Sequence, residues 1–146
     1  METLKDILKE KGFKVHSTRP DATVLEIARK MGELHIGSLL VGDGERTAGI
    51  VSERDIMNRV VCERRDPAST RARDIMTREV ICAGADASPE EAMSIMTARR
   101  VRHLPIVQGG RVIGVVSIGD LIRWACDSQQ HEIAQLTDYV CGRYPG

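Results

Sequence analysis

Apolar positions along this chain follow two periods that alternate in short blocks. In TVLEIARKM, residues 23–31, Val24, Ile27, Ala28 and Met31 stand at i, i+3, i+4 and i+7, which is one face of a helix. SLLVG (38–42) and TAGIVS (47–52) are apolar runs of strand length. GDGER lies between them as a turn, with Gly44 supplying the backbone freedom of a hairpin. ERDIMNRVV predicts the next helix, and Lys14–His16 a short leading strand. The order then returns: SPEEAMSIMTAR as helix, HLPIV and RVIGVVS as strands, IGDLIRWAC as helix. Pro89 directly after Ser88 suits an N-cap followed by a first-turn proline.

The return is a repeat. A shift of 65 positions lays residues 21–59 on 86–124 without a gap. GIVSERD (49–55) meets GVVSIGD (114–120), Glu26 meets Glu91, and Met31 meets Met96. Upstream, KDILKEKGFKV resembles RDIMTREV, with three extra residues in the first copy. Each copy reads strand, helix, strand, strand, helix, so the fold class is α/β in the mixed α+β sense. A half of about 60 residues buries too little surface to stand comfortably alone. The copies are therefore expected to pack about a pseudo-twofold axis, leaving two related clefts. The expected organisation is a first repeat with its leading helix over 1–62, a linker over 63–73, a second repeat over 74–126 and a helical tail over 127–146. The linker is polar, contains Pro67 and lacks apolar periodicity. In the tail, Ile133, Leu136 and Val140 share a helix face.

Composition narrows the function classes. Aromatic residues make up only 3% of the 146, so the core must rest on aliphatic side chains. Twenty-one basic and 21 acidic residues cancel, which argues against a general nucleic-acid binder. A local basic stretch remains at Arg99, Arg100, Arg102 and His103. The N-terminus is charged throughout, and no run approaches the ~20 apolar residues of a membrane span, so a cytoplasmic location is expected. The four cysteines form no C-x-x-C pair and the four histidines no metal-binding spacing. No metal is expected, and the thiols are expected to be buried or incidental. With no Cys-His or Ser-His arrangement and no Walker-type loop, no catalysis is expected.

The doubled Ser-x-x-Asp admits two readings. Ser52 with Asp55, and Ser117 with Asp120, match a capping box, in which each side chain satisfies the other's backbone N–H. The same geometry suits a nucleoside. A helix N-terminus attracts anions, and a carboxylate one turn in can accept ribose hydroxyls. In the second copy Arg102 and His103 precede a buried strand and suit phosphate oxygens.

Taken together, DIMT, RHLPIV and the doubled G-h-h-S-x-x-D (h apolar) resemble a tandem pair of CBS domains, a Bateman module, over nearly the whole chain. The resemblance implies two β-α-β-β-α units packed through their sheets. It implies regulation without catalysis, by sensing an adenosine ligand of the AMP, ADP, ATP, S-adenosylmethionine or NAD(H) class, with no required cofactor. Carried over by position, one cleft would use Ser117, Asp120 and Val115 with Ala22, Ile36, Gly37 and Ser38. Its counterpart would use Ser52, Asp55 and Ile50 with Ala87, Val101, Arg102 and His103, and Arg54 as a further phosphate contact. Two inequivalent sites are expected, since Arg54 faces Gly119 across the repeat and the Arg-His pair has no counterpart in the first copy. A homodimer through the helices bearing Met57, Val60, Val61 and Leu121, Ile122, Trp124 is also implied, together with a regulated protein that the sequence does not name. A structural dimerisation module and a nucleic-acid binder are the alternatives.

Overall fold

The computed structural model describes residues 2–43 and 46–128. The expected turn glycine Gly44 and the expected helical tail from 129 onward, with His131 and Cys141, lie outside the described residues.

The first half comprises helix α1 (Leu4–Lys11), strand β1 (Ser17–Thr18), helix α2 (Val24–Leu34), strands β2 (Ser38–Gly42) and β3 (Thr47–Ser52), and a short helix α3 (Glu53–Ile56). The second comprises α4 (Ala72–Ile75), β4 (Ala83–Gly84), α5 (Pro89–Arg99), β5 (His103–Gln108), β6 (Arg111–Ser117) and α6 (Ile118–Ser128). Each half forms a three-stranded sheet, β1-β2-β3 and β4-β5-β6. In both, the first pair is parallel and the second antiparallel. The 65-residue shift carries α2 onto α5 residue for residue, and the registers agree: Ser38 pairs with Ser52, and His103 with Ser117.

Two local details differ from the hydrophobic pattern. The leading strand lies at Ser17–Thr18, not Lys14–His16, because pairing with Leu40 and Val41 of β2 sets its position. His16 contributes only its carbonyl, which accepts the Leu40 N–H at 3.2 Å. The helix predicted over ERDIMNRVV changes character after one turn, and Met57–Val61 form a π-helical turn. Widened turns of this kind are rare and cluster at functional sites. This one buries Val60 while leaving Met57 and Val61 53% and 68% exposed. Val60 and Leu121, both expected at a dimer contact, are fully buried core residues instead.

Two hydrophobic cores follow, and each takes its leading helix from the other half. Leu4, Ile7 and Leu8 of α1 pack with Leu104, Ile106, Val116 and Leu121 of the second half. Ala72, Ile75 and Met76 pack with Val24, Ile27, Leu39 and Val51 of the first. The exchange is stitched by matching backbone bonds: Leu4 N–H to the Ala87 carbonyl at 2.9 Å, and Ala72 N–H to the Ala22 carbonyl at 2.8 Å. Two glycines at equivalent places permit the close approach. A Cβ on Gly114 would stand 2.7 Å from a Leu8 methyl carbon, and one on Gly49 would stand 2.8 Å from the Met76 sulfur. The two halves therefore share one folding unit, which answers the surface problem of a half that is too small alone.

Candidate functional site

The Ser-x-x-Asp pairs sit where the last strand of each sheet turns into a helix. Both are capping boxes. Ser52 N–H donates to Asp55 Oδ2 at 2.9 Å and Asp55 N–H returns to Ser52 Oγ at 3.3 Å. Ser117 N–H donates to Asp120 Oδ2 at 2.8 Å and Asp120 N–H to Ser117 Oγ at 3.1 Å. The capping reading of the sequence is thus correct at both places. It leaves lone pairs on each carboxylate, and the two copies use them differently.

At Asp55 the added partner is Thr77, whose hydroxyl donates to Oδ1 at 3.1 Å. Thr77 arrives there because the chain becomes extended at Met76, after a single turn of α4. Its backbone then pairs with Ile50 on the outer edge of β3, N–H to carbonyl at 2.8 and 2.9 Å. Arg59 secures this turn by donating to the carbonyls of Ile75 and Met76, at 2.8 and 3.1 Å, which the end of α4 leaves open. The Arg59 guanidinium also lies 3.9 Å from Asp55 Oδ1. Only 12% of the Asp55 side chain is exposed.

At Asp120 the equivalent partner is a cation. Lys11, the last residue of α1, donates from Nζ to the Val115 carbonyl and to Asp120 Oδ2, both at 2.5 Å. Val115 is the counterpart of Ile50, so Lys11 reaches the carbonyl and the carboxylate that correspond to those Thr77 reaches. It bonds the capping oxygen Oδ2, however, where Thr77 bonds Oδ1, and it cannot accept an N–H as the Thr77 carbonyl does from Ile50. Asp120 Oδ1 lies 3.6 Å from the Arg123 guanidinium. Burial alone would raise the Asp120 pKa. The bonds from Lys11 and from the Ser117 backbone, with the Lys11 charge, outweigh it and hold the carboxyl below its ordinary range.

A cavity of about 490 Å³ opens at the Asp55 end. Its lining includes the polar Ser38, Ser52, Asp55 and Thr77 and the apolar Ile50, Ile81 and Val101. Arg54, Arg99, Arg100, Arg102 and His103 bring positive or protonatable groups, and Glu53 and Glu79 the opposing charge. The volume lies within the range of small-ligand pockets. Arg54 is oriented by donating to the Arg100 carbonyl at 3.3 Å. Arg100 caps α5 in the left-handed region at φ 55, which only a constrained non-glycine residue adopts. His103 lies against Gly37, where the halves meet: a Cβ on Gly37 would stand 3.0 Å from His103 Cε1 and 2.8 Å from Glu53 Oε1. Burial holds the His103 pKa below 6.5; Glu53 and Asp120 pull it up, Lys11 and Arg102 down.

The expected sets are partly rearranged. Ile50, Ser52, Arg54, Asp55, Val101, Arg102 and His103 line one cavity together. Gly37 and Ser38, assigned to the Ser117 cleft, line this same cavity, because Ser38 is the ladder partner of Ser52. Ile36 faces a shallower depression with Met31, His35 and Ile56. Ala22 and Ala87 line neither hollow, and their carbonyls receive the exchanged segments. Sequence reasoning missed Thr77 and Lys11 as partners of the aspartates. The signal was present in the three extra residues that separate KDILKEKG from RDIMT. Cys62 and Cys82, expected to be buried or incidental, are exposed. Among the described residues, no helix is long and apolar enough to cross a membrane.

Comparison with known proteins places this geometry in a family context. The family model described as CBS domain matches residues 4–62 and again 72–127. Among curated proteins, the chain is similar to the CBS domain-containing protein CBSX3, mitochondrial, of Arabidopsis thaliana, with 32% identity over 97% of this chain and 73% of that protein. Among solved structures, it is similar to a putative signal-transduction protein with CBS domains from Burkholderia ambifaria MC40-6. That likeness has a TM-score of 0.84 and 39% identity, covering 90% of this chain and 99% of the other. The CBS domain structure NE2398 gives a TM-score of 0.81 at 39% identity, covering 85% of this chain and 97% of that one.

Proposed function

We propose a function on an established premise: the chain belongs to the CBS-domain family and carries two such domains in tandem. CBS domains are regulatory modules that often bind adenosine ligands. The reading here is that this chain binds an adenosine nucleotide in the Asp55 cavity and signals through a change of conformation or of affinity for a protein partner. Its role is binding, not turnover.

The observation that carries this reading is the composition of one cavity: a ribose-type carboxylate, apolar side chains and a cluster of arginines. Asp55 and Thr77 meet the ribose hydroxyls. Ile50, Ile81 and Val101 cover the base. Arg54, Arg100 and Arg102, with His103, take the phosphates, since guanidinium groups pair well with phosphate oxygens. Coupling to a partner requires that the ligand prefer one packing of the two halves. The meeting of Gly37 with His103 and Glu53 at the cavity edge gives such a preference a place to act. A homodimer through the exposed Met57 and Val61 and a cytoplasmic location complete the proposal.

Calorimetric titration of nucleotide-stripped protein with AMP, ATP, NADH and S-adenosylmethionine tests it. Saturable micromolar binding of one of them supports the reading. Silence from all four, in folded and empty protein, contradicts it and turns attention to a structural or nucleic-acid-binding role.

A further inference from the structure

We propose that Lys11 is a built-in plug of the second cleft, so that the chain binds one nucleoside rather than two. The inference rests on the nucleotide reading of the Asp55 cavity.

The two halves present the same frame, Val115-x-Ser117 with Asp120 against Ile50-x-Ser52 with Asp55, capped by the same bonds. They differ in which side chain bonds the aspartate: Thr77 at Oδ1 of Asp55, and Lys11 at Oδ2 of Asp120, whose Oδ1 lies 3.6 Å from Arg123. Thr77 offers a neutral hydroxyl at 3.1 Å, and the Arg59 guanidinium stands off at 3.9 Å, beyond hydrogen-bond distance, a looser hold on the Asp55 charge than a bonded ammonium. Lys11 offers an ammonium at 2.5 Å, a charge-assisted bond that neutral ribose hydroxyls do not displace on equal terms.

The plug is held in place by the fold. Leu4 and Leu8 are fully buried, and Leu8 seats on Gly114. One turn beyond Leu8, the helix delivers Lys11 above Val115. The extra residues of the first copy are thus the length of helix that exchanges a threonine for a lysine. Lys11 is itself 36% exposed, and Asp120, at 10%, is as enclosed as Asp55 at 12%.

The second cleft also lacks the counterpart of Arg54, one of the cations of the first. The repeat places Gly119 where Arg54 stands. An opened second cleft would therefore take a neutral nucleoside in preference to a nucleotide.

The test is calorimetric stoichiometry with adenosine, and separately with AMP, on the full chain. Four proteins are compared: native, Lys11→Ala, Asp55→Ala and the double variant. The native chain is expected to bind one equivalent, and Lys11→Ala two equivalents of adenosine. Asp55→Ala is expected to bind its one equivalent roughly ten- to a hundredfold more weakly, and the double variant to show that weakened equivalent beside the one gained at Asp120. Lys11→Arg, which keeps the cation, should stay at one, and Lys11→Gln supplies a second neutral variant if the alanine form folds poorly. Two equivalents in the native chain, or an unchanged count in both neutral variants, overturns the plug. One equivalent gained by Lys11→Ala over a silent native chain supports the plug and refutes the Asp55 reading. An unchanged single equivalent does the reverse, and silence from every protein refutes both.

Discussion

Asp55 and Asp120 carry the same sequence signature and meet different side chains, Thr77 and Lys11. Both cap a helix, so either Asp→Ala change should cost about 1 kcal/mol of stability, read as a lower denaturation midpoint. Only Asp55→Ala should also weaken nucleotide binding, by roughly ten- to a hundredfold, the scale of a hydrogen bond to a charged group. Equal losses of affinity at both positions would place the ligand between them. Arg102→Ala should weaken AMP far more than adenosine in the same titration; equal loss would move Arg102 away from the phosphate. His103 sets a pH dependence of stability. Its folded pKa lies below 6.5 chiefly because burial penalises the imidazolium. The unfolded chain therefore binds the extra proton first, and stability falls as pH drops below about 6.5 toward the folded pKa. Urea midpoints measured across that window should fall for the native chain and fall less for His103→Gln. The Ser and Asp of each pair were legible in the sequence as chemistry-bearing residues. Their partners were not, because Thr77 lies 22 positions from Asp55 and Lys11 lies 109 from Asp120. Only the exchange of leading helices brings them together.

Among the elements, strand and helix identity followed the hydrophobic pattern closely, since β2, β3, β5 and β6 are apolar runs and α2 and α5 begin at capping boxes. What the pattern did not reveal was which sheet each leading helix would serve. Ile7 and Ile75 are equally apolar, and either core would accept either side chain by size alone. The choice is written in contacts: Leu8 over Gly114, Met76 over Gly49. Those contacts differ in rigidity. The three atoms nearest a Cβ at Gly114 all belong to the Leu8 side chain, whereas a Cβ at Gly49 also meets the Thr77 backbone carbonyl at 2.8 Å. A side chain can change rotamer and a hydrogen-bonded backbone cannot. Gly49→Ala should therefore destabilise by about 1–3 kcal/mol, the usual scale of overpacking, and Gly114→Ala by less. Because Thr77 also contacts Asp55, Gly49→Ala should weaken nucleotide binding while Gly114→Ala leaves it intact. Thermal midpoints and calorimetry on the two variants check both parts. The π-helical turn at Met57–Val61 was likewise invisible to periodicity, because over five residues a widened turn keeps nearly the same apolar spacing.

At the scale of the whole molecule, the repeat produces a frame with two equivalent corners and the departures from the repeat make them unequal. Positive charge gathers at one corner through Arg54, Arg100 and Arg102. At the other, Lys11 neutralises the carboxylate that would hold a ligand. The difference between the two corners was legible in part from Arg54 facing Gly119, whereas the Lys11 contact arises upstream of the aligned repeat. The account's central claim is that the Asp55 corner is the ligand site, and a crystal structure of the protein with the nucleotide that binds in titration tests it most directly. The account predicts ribose hydroxyls on Asp55, the base against Ile50 and Val101, phosphates toward Arg102 and His103, and the Lys11–Asp120 pair intact. Nucleotide density at Asp120 with Lys11 displaced, or none at Asp55 in crystals grown at saturation, would contradict it.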